Sequence, residues 1–408
     1  MAVLRPLVAL RPPSEHVARV ASVPYDVVDT AEARALAEGN PMSFLHVVRP
    51  EVDLPEGTDL YSDAVYEQGL KGLVKLQADG ALVRDDSPAL YVYRQIMGDH
   101  SQVGVVGCCS VDEYDQDLIK KHEKTRPDKE DDRTRHLVTM RAHPGPVFLT
   151  YRADDRIDAL VTAAMADPPL YDFVADDGVG HTVWRVDGAD DLAGAFEAVP
   201  CTYVADGHHR TASASRARAA MRDQNQEHDG GEAYNRFLAV LFPANQLQIL
   251  AYNRVVHDLN GRRPEAFLDA LRAVMEVTED ASPTPSSRGG FSLYLDGRWY
   301  GLTAPSSALE QDDPVASLDA AILQTLVLDP LLGIVDQRTS DRISFVGGIR
   351  GTDELQERVE SRGDGCAFSL YPLGVDQLLA VADDDRVLPP KSTWFEPKLR
   401  SGLIVHTF

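Results

Sequence analysis

Lysine and arginine are in short supply in this chain. Its 408 residues hold 40 of them against 64 aspartates and glutamates, a formal net charge of −24. A field of that sign repels the nucleic-acid backbone and anionic membrane surfaces, so neither is expected as a partner. It leaves room for a local basic pocket around a small phosphorylated ligand. Cysteine is scarce too, with Cys108, Cys109, Cys201 and Cys366 as the whole set. No C-x-x-C pair exists among them, which argues against a disulfide framework or a zinc site and for buried free thiols in a reducing cytosol. Aromatic residues make up only 7%, so the core has to be packed with Val, Leu and Ala. No apolar run approaches the ~18 residues of a membrane-spanning helix. The proline-broken start "MAVLRPLVALRPPSEHVARV" does not fit a signal peptide, and a cytoplasmic location is expected. The sequence also lacks G-x-x-x-x-G-K-[ST], G-x-G-x-x-G and G-x-S-x-G. "FVGGIRG" at 345–351 has the glycines of a phosphate loop but not its lysine, and reads as a strand end and turn.

What is present suits a soluble enzyme-sized protein. The length allows two or three domains, and 44% hydrophobic residues support a sizeable core. The segment "VPYDVVDTAEARALAEG" sets a rigid Pro-Tyr-Asp turn before a helix capped at Thr30, with Glu32 in its first turn and Gly39 at its end. Tyr61, Val65, Leu70 and Leu73 recur at helical spacing. "ALYVYRQIMGDHSQVGVVGCC" reads as a hairpin whose two β-rich runs flank a Gly-Asp-His-Ser turn at 98–101. Further strands are expected at 145–151, at "HTVWRV", and on either side of a Pro-Ala-Asn turn in "NRFLAVLFPANQLQILAYNRVV". Beyond residue 260 come the helix "PEAFLDALRAVMEV", the hairpin "FSLYLDGRWYGLT", a helix from Ser317, and the strands "RISFVGG" and "CAFSLYPL". Strands and helices alternate throughout, so the fold class is α/β or α+β, with mixed sheets and interspersed helices. Residues 1–260 form an N-terminal region and residues 261–408 a C-terminal α+β region, either separate or packed as one unit with the first.

Three clusters carry chemistry. In "TYVADGHHRTASASRARA" a strand runs into Asp206-Gly207, a turn signal, and then into an alanine-rich helix. Gly207 lets the backbone take a positive φ or approach a ligand closely. The helix start offers unpaired N–H groups and a partial positive charge, which suit phosphate oxygens. Arg210 adds a fork of donors, and His208 and His209 add imidazoles. A metal site built from the two histidines does not fit, because adjacent side chains on a helix diverge. The second cluster, "KKHEKTRPDKEDDR", gathers His122, Glu123, Lys124, Arg126, Asp131, Asp132 and Arg133 in one polar loop. Phosphoryl transfer needs cations on the phosphates and a carboxylate at the attacking hydroxyl, and this loop holds both types. By itself such a charge run reads as a solvated loop; it becomes a site only if the fold sets it against Gly207–Arg210. The third cluster, "PPKSTWFEPKLRSG", alternates Lys391, Lys398 and Arg400 with Trp394, Phe395 and prolines, either as a rigid segment closing over the site or as a tail packed into the core.

These clusters in this order, with "VPYDVVD" ahead of them, resemble the domain-of-unknown-function family 1015 over nearly the whole chain. The Asp-Gly-His-His-Arg turn is also similar to the phosphate-binding turn of the ParB/sulfiredoxin superfamily, whose members bind nucleotides and include free-serine kinases. The resemblance implies a ParB/sulfiredoxin-like core within 1–260. It implies that Gly207, His208, His209, Arg210 and Thr211 hold phosphates, and that His122-Glu123 matches a kinase His-Glu pair whose carboxylate is the base. Asp206 would then help with metal or orientation, and Lys124, Arg126 and Lys391 would complete a cationic clamp. The Gly-Glu-Arg-Arg turn of the DNA-clamp members is absent, and Thr211 stands where the family motif has Tyr. The expected activity is a small-molecule kinase that moves a phosphoryl group from ATP, ADP or pyrophosphate to free L-serine or a similar hydroxyl compound. Mg²⁺ is implied by the chemistry rather than by any ligand motif. The alternatives are a non-catalytic nucleotide-binding regulatory protein and a phosphatase or nucleotidase.

Overall fold

Alternation of apolar residues in 90–110 builds the hairpin around which the first part of the chain assembles. The computed structural model describes residues 2–309, 312–363 and 365–408. In it the strands Leu90–Met97 and His100–Ser110 pair antiparallel across a turn at Gly98, whose φ of 58° is the left-handed conformation such turns require. Two compact units emerge. One comprises residues up to 247 together with 397–408; the other is Gln248–Glu396. The division therefore falls at 247 rather than near 260, and the last twelve residues rejoin the first unit.

The first unit holds a nine-stranded mixed sheet. Its order runs Ile119–Lys120, Thr202–Asp206, Val147–Tyr151, Arg236–Pro243, His100–Ser110, Leu90–Met97, Gly180–Val186 and Tyr171–Val174, with Leu4–Arg5 alongside His100–Ser110. Arg236–Pro243 pairs parallel with Val147–Tyr151, and Thr202–Asp206 parallel with Ile119–Lys120; the other pairs are antiparallel. Val92, Val105, Leu149, Val204 and Leu241 pack one core with Ile157 and Phe196 from the helices Asp155–Ala164 and Asp190–Phe196. A second core joins Phe44, Val47, Leu73, Leu76 and Met140. There the helix Asp63–Ala78 approaches residues 45–48 closely: a Cβ at Gly72 would lie 2.6 Å from the His46 carbonyl oxygen. Tyr61 falls before this helix and is exposed, so the helical stripe is Val65, Gly69, Leu73 and Leu76 instead.

Two local readings shift. The helix Thr30–Ala37 is capped by Asp29, which accepts from Glu32 N in a capping box, not by Thr30; either residue of the Asp-Thr pair could cap, and the carboxylate wins. The charged stretch after Arg126 is not loop but the helix Pro127–Met140, with Pro127 in its first turn, so Asp131, Asp132 and Arg133 ride on a helix.

The second unit has a six-stranded antiparallel sheet in the order Glu276–Glu279, Arg298–Thr303, Gly290–Leu295, Cys366–Leu370, Tyr252–Val256 and Ile343–Gly347. Phe267 and Leu271 of the helix Pro264–Arg272 pack with Phe291, Leu293, Leu323 and Phe368 in its core. A mixed sheet in the first unit and an antiparallel sheet in the second, both with interspersed helices, make up the α/β architecture. All four cysteines are free thiols, and burial pushes Cys108 up to about 12. Among the described residues no helix is long and apolar enough to cross a membrane.

Candidate functional site

The strand Thr202–Asp206 ends in Gly207, whose φ of 103° and ψ of 30° turn the chain into the helix His208–Gln224. That φ is open to glycine and strained for other residues. The first helical hydrogen bond runs from Thr211 N to Gly207 O at 3.0 Å, so the N–H groups of His208, His209 and Arg210 precede the intrahelical ladder. The Thr211 hydroxyl donates back to Gly207 O (3.0 Å) and His208 O (3.2 Å); it closes the turn rather than facing a ligand. A Cβ at Gly207 would lie 3.3 Å from Arg210 Nε. Gly207→Ala is therefore expected to cost about 1–3 kcal/mol, read as a lower denaturant midpoint at unchanged slope.

Beneath the turn lies a charge network of partly buried groups that ends at the exposed Asp26. Arg210 donates to the Pro146 carbonyl and, at 3.2 Å, to Asp26 Oδ2; Asp206 Oδ1 is 3.8 Å from the same nitrogen. Burial works against the guanidinium charge, but Asp26 and Asp206 outweigh it and raise the Arg210 pKa. Lys398 Nζ donates to Asp206 Oδ2 at 2.9 Å. Burial would raise the Asp206 carboxyl; Lys398 and Arg210 instead hold it well below the carboxylate range. Lys398 belongs to the 397–408 segment, and Asp26 to the Pro-Tyr-Asp turn near the N-terminus. Neither was singled out for the site by the sequence reading, although both lie inside its motifs.

The loop ahead of the helix Pro127–Met140 lies across the start of the site helix. Arg126 N donates to His209 Nε2 at 3.1 Å, and His122 N donates to His208 Nε2 at 3.5 Å. His208 therefore carries its proton on Nδ1, which sits 3.8 Å from Glu123 Oε2. Burial first, and then His122, push the His208 pKa well below normal, so the ring is neutral. His122 meets the His208 ring edge-on, centroids 4.4 Å apart. Burial lowers its pKa to about 3, and among the described residues neither ring nitrogen has a hydrogen-bond partner.

His122, Glu123, Asp206, Gly207, His208, His209, Arg210 and Thr211 thus converge. Lys124 is exposed on the same loop, and the Arg126 guanidinium turns to Asp128 at 2.9 Å. Lys391 lies in the second unit, its ammonium 5.5 Å from the centre of the Tyr252 ring. Beside the turn opens a cleft of about 510 Å³ bordered by Tyr25, Arg133, His136, His143, Val147 and Arg210. Arg133 lies over the Tyr25 ring at 4.2 Å and pairs with Asp132. Among the described residues no group of three or more His, Cys, Asp or Glu side chains could hold a metal ion. Asp26 and Asp206, the carboxylates under the turn, already face cations, so this donor set does not fit a resident divalent ion.

Residues 4–321 match the profile of a family described as "Protein of unknown function (DUF1015)". No curated protein matches the chain. Among solved structures it is similar to SbnI with a C-terminal truncation from Staphylococcus aureus, at 13% identity over 74% of this chain and 87% of that one, TM-score 0.40. A conserved hypothetical protein from Pyrococcus furiosus is 13% identical, with 74% and 94% covered and a TM-score of 0.34. A free serine kinase in complex with AMP is 12% identical, with 74% and 91% covered and a TM-score of 0.34.

Proposed function

The chain belongs to the DUF1015 family, and from that premise we propose that it is a small-molecule kinase acting on free L-serine or a similar small alcohol. One observation carries the reading: the Glu123 loop is hydrogen-bonded onto the first turn of the His208–Gln224 helix, which sets a carboxylate beside the glycine corner where that helix begins. In this reading the N–H groups of residues 208–210 receive the transferring phosphate of ATP, ADP or pyrophosphate, with His209, Lys124 and Arg126 as nearby cations and donors. Asp206 and Arg210, locked to Lys398 and Asp26, hold the floor of the corner in place. The neutral His208 ring lies beside Glu123, and His122 packs against that imidazole. The substrate hydroxyl oxygen attacks phosphorus, its proton passes to Glu123, and the bond from phosphorus to the leaving phosphate oxygen breaks. Mg²⁺ enters with the donor as part of that substrate, and no step is assigned to a resident ion. A ParB/sulfiredoxin-like core belongs to the same proposal, as does a cytoplasmic setting.

A nucleotide-binding module without turnover is the second reading. Its support is that Arg210 is already opposed by two carboxylates, which leaves the corner with less positive charge for a transition state. ³¹P NMR of the protein with L-serine and each donor separates the readings. Phosphoserine is expected from the wild type, and Glu123→Ala should lower its formation by about 10²–10⁴-fold while donor binding persists. Free phosphate alone would identify a phosphatase or nucleotidase, and binding with no product would identify the module.

A further inference from the structure

The cleft beside the Gly207 turn lies wholly within the first unit. Pro24, Val48, Leu137 and Val147 give it apolar walls. The ionised side chains on its border are the cations Arg133 and Arg210, and among the described residues no aspartate or glutamate lines it. Arg133 commits Nε and Nη2 to Asp132 Oδ2, at 2.9 and 2.7 Å, and its Nη1 makes no hydrogen bond among the described residues. Arg210 commits its two terminal nitrogens to the Pro146 carbonyl and Asp26, while its Nε is buried and has no partner among the described residues. The Tyr25 ring lies 4.2 Å from the Arg133 guanidinium. Burial pushes the Tyr25 phenol up to about 12, so its hydroxyl stays protonated, and among the described residues no hydrogen bond engages it. Ser401 is buried at the border of the cleft, where a Cβ at Gly145 would lie 3.0 Å from its Oγ; glycine leaves that hydroxyl uncovered.

Buried polar groups are as a rule hydrogen-bonded, yet one hollow here gathers several donors without acceptors. A carboxylate offers acceptor oxygens only and matches the edge of a guanidinium. We propose that the cleft binds the carboxylate of a small hydroxy acid or hydroxyamino acid, held by Arg133 Nη1, the Tyr25 hydroxyl and Ser401 Oγ. Arg210, on the border between cleft and corner, adds charge without having to release Asp26. The apolar walls keep water from competing for the same donors. The inference rests on the kinase reading for what the acid does: it anchors the acceptor beside the corner that would receive the phosphate, and it restricts that acceptor to alcohols bearing a carboxylate.

The test measures binding to the full-length protein by calorimetry with no phosphoryl donor present, so that turnover is not required. L-Serine and L-lactate are compared with their decarboxylated counterparts, ethanolamine and ethanol. Each acid is expected to bind saturably and about tenfold or more tightly than its counterpart, with hydrogen exchange slowed at 133–137 and 145–148. Arg133→Gln should weaken binding of the acids about tenfold or more. Tyr25→Phe removes one oxygen, keeps the ring against Arg133, and should weaken it about threefold or more. The proposal is overturned if the acids bind no better than their counterparts, if both variants bind as the wild type does, or if exchange slows only away from the cleft. Should Arg133→Gln not fold, Tyr25→Phe decides. The expected binding with no phosphorylated product in the ³¹P NMR experiment would remove the kinase reading and leave the cleft assignment standing; equal phosphorylation of ethanolamine and L-serine would do the reverse.

Discussion

Lowering the pH from 7.5 to 5 is expected to lower the melting temperature of the first unit more than that of the second. Burial holds His122, His136 and His181 neutral, with pKa values lowered to about 3, and lowers His143 and His208 well below the usual imidazole range. All five belong to the first unit, whereas the second contains a single histidine, His257, whose pKa is lowered by burial. The surroundings resist protonation: Arg133 bears on His136, Arg400 Nε lies 3.1 Å from His181 Nε2, and His143 stacks on His406. Each folded pKa lies below the unfolded value of about 6.5, so below that pH the unfolded chain binds more protons. The stability is complete above pH 6.5 and declines as the pH falls toward 3. At pH 5 each imidazole held neutral costs the fold about 2 kcal/mol, and His122, His136 and His181 together about 6. That is comparable to a whole domain's stability of about 5–15 kcal/mol. Scanning calorimetry at pH 7.5, 6 and 5 should show one transition dropping steeply and the other moving little. A single transition of constant midpoint would contradict the burial of these rings.

Arg210→Ala is expected to lower the stability of the first unit by about 2 kcal/mol, the cost of hydrogen bonds lost by two partly solvated carboxylates and the Pro146 carbonyl. Asp206 retains Lys398, but Asp26 and the Pro146 carbonyl lose their donor. Arg210→Lys should recover only part of the loss, because one ammonium cannot reach three acceptors that a planar fork spans. Adding Asp26→Asn to Arg210→Ala should restore about 1–2 kcal/mol, since the two sites share one interaction. Urea midpoints of the four proteins measure this cycle. If Arg210 served only to grip a ligand, Arg210→Ala would weaken donor binding and leave the urea midpoint unchanged.

Local signals in the sequence translated well into structure, and distant pairings did not. The Gly98-Asp99 turn, the strand-turn-helix at Gly207 and the hairpin near Asp296-Gly297 rest on residues adjacent in sequence, and each forms where turn chemistry places it. The meeting of the Glu123 loop with the Gly207 turn was legible only as a condition, because no periodicity reports that residues 83 positions apart share a hydrogen bond. Lys398 shows the limit. Its partner Asp206 lies 192 residues away, and three basic residues in that tail were equally eligible; only the fold distinguishes Lys398 from Lys391 and Arg400. Asp26 likewise lay in a conspicuous Pro-Tyr-Asp turn with nothing local to indicate an arginine 184 residues on.

The late arrival of Lys398 has a consequence during synthesis. A ribosome adding about 5–20 residues per second needs roughly 10–40 s to travel the 192 residues from Asp206 to Lys398. Through that interval the nascent chain carries the glycine corner with its aspartate lacking an ammonium partner, while the intervening Gln248–Glu396 unit emerges and can fold by itself. The corner is completed only once Lys398 has emerged, so a chain stalled inside the second unit would expose an unfinished first one to chaperones and proteases.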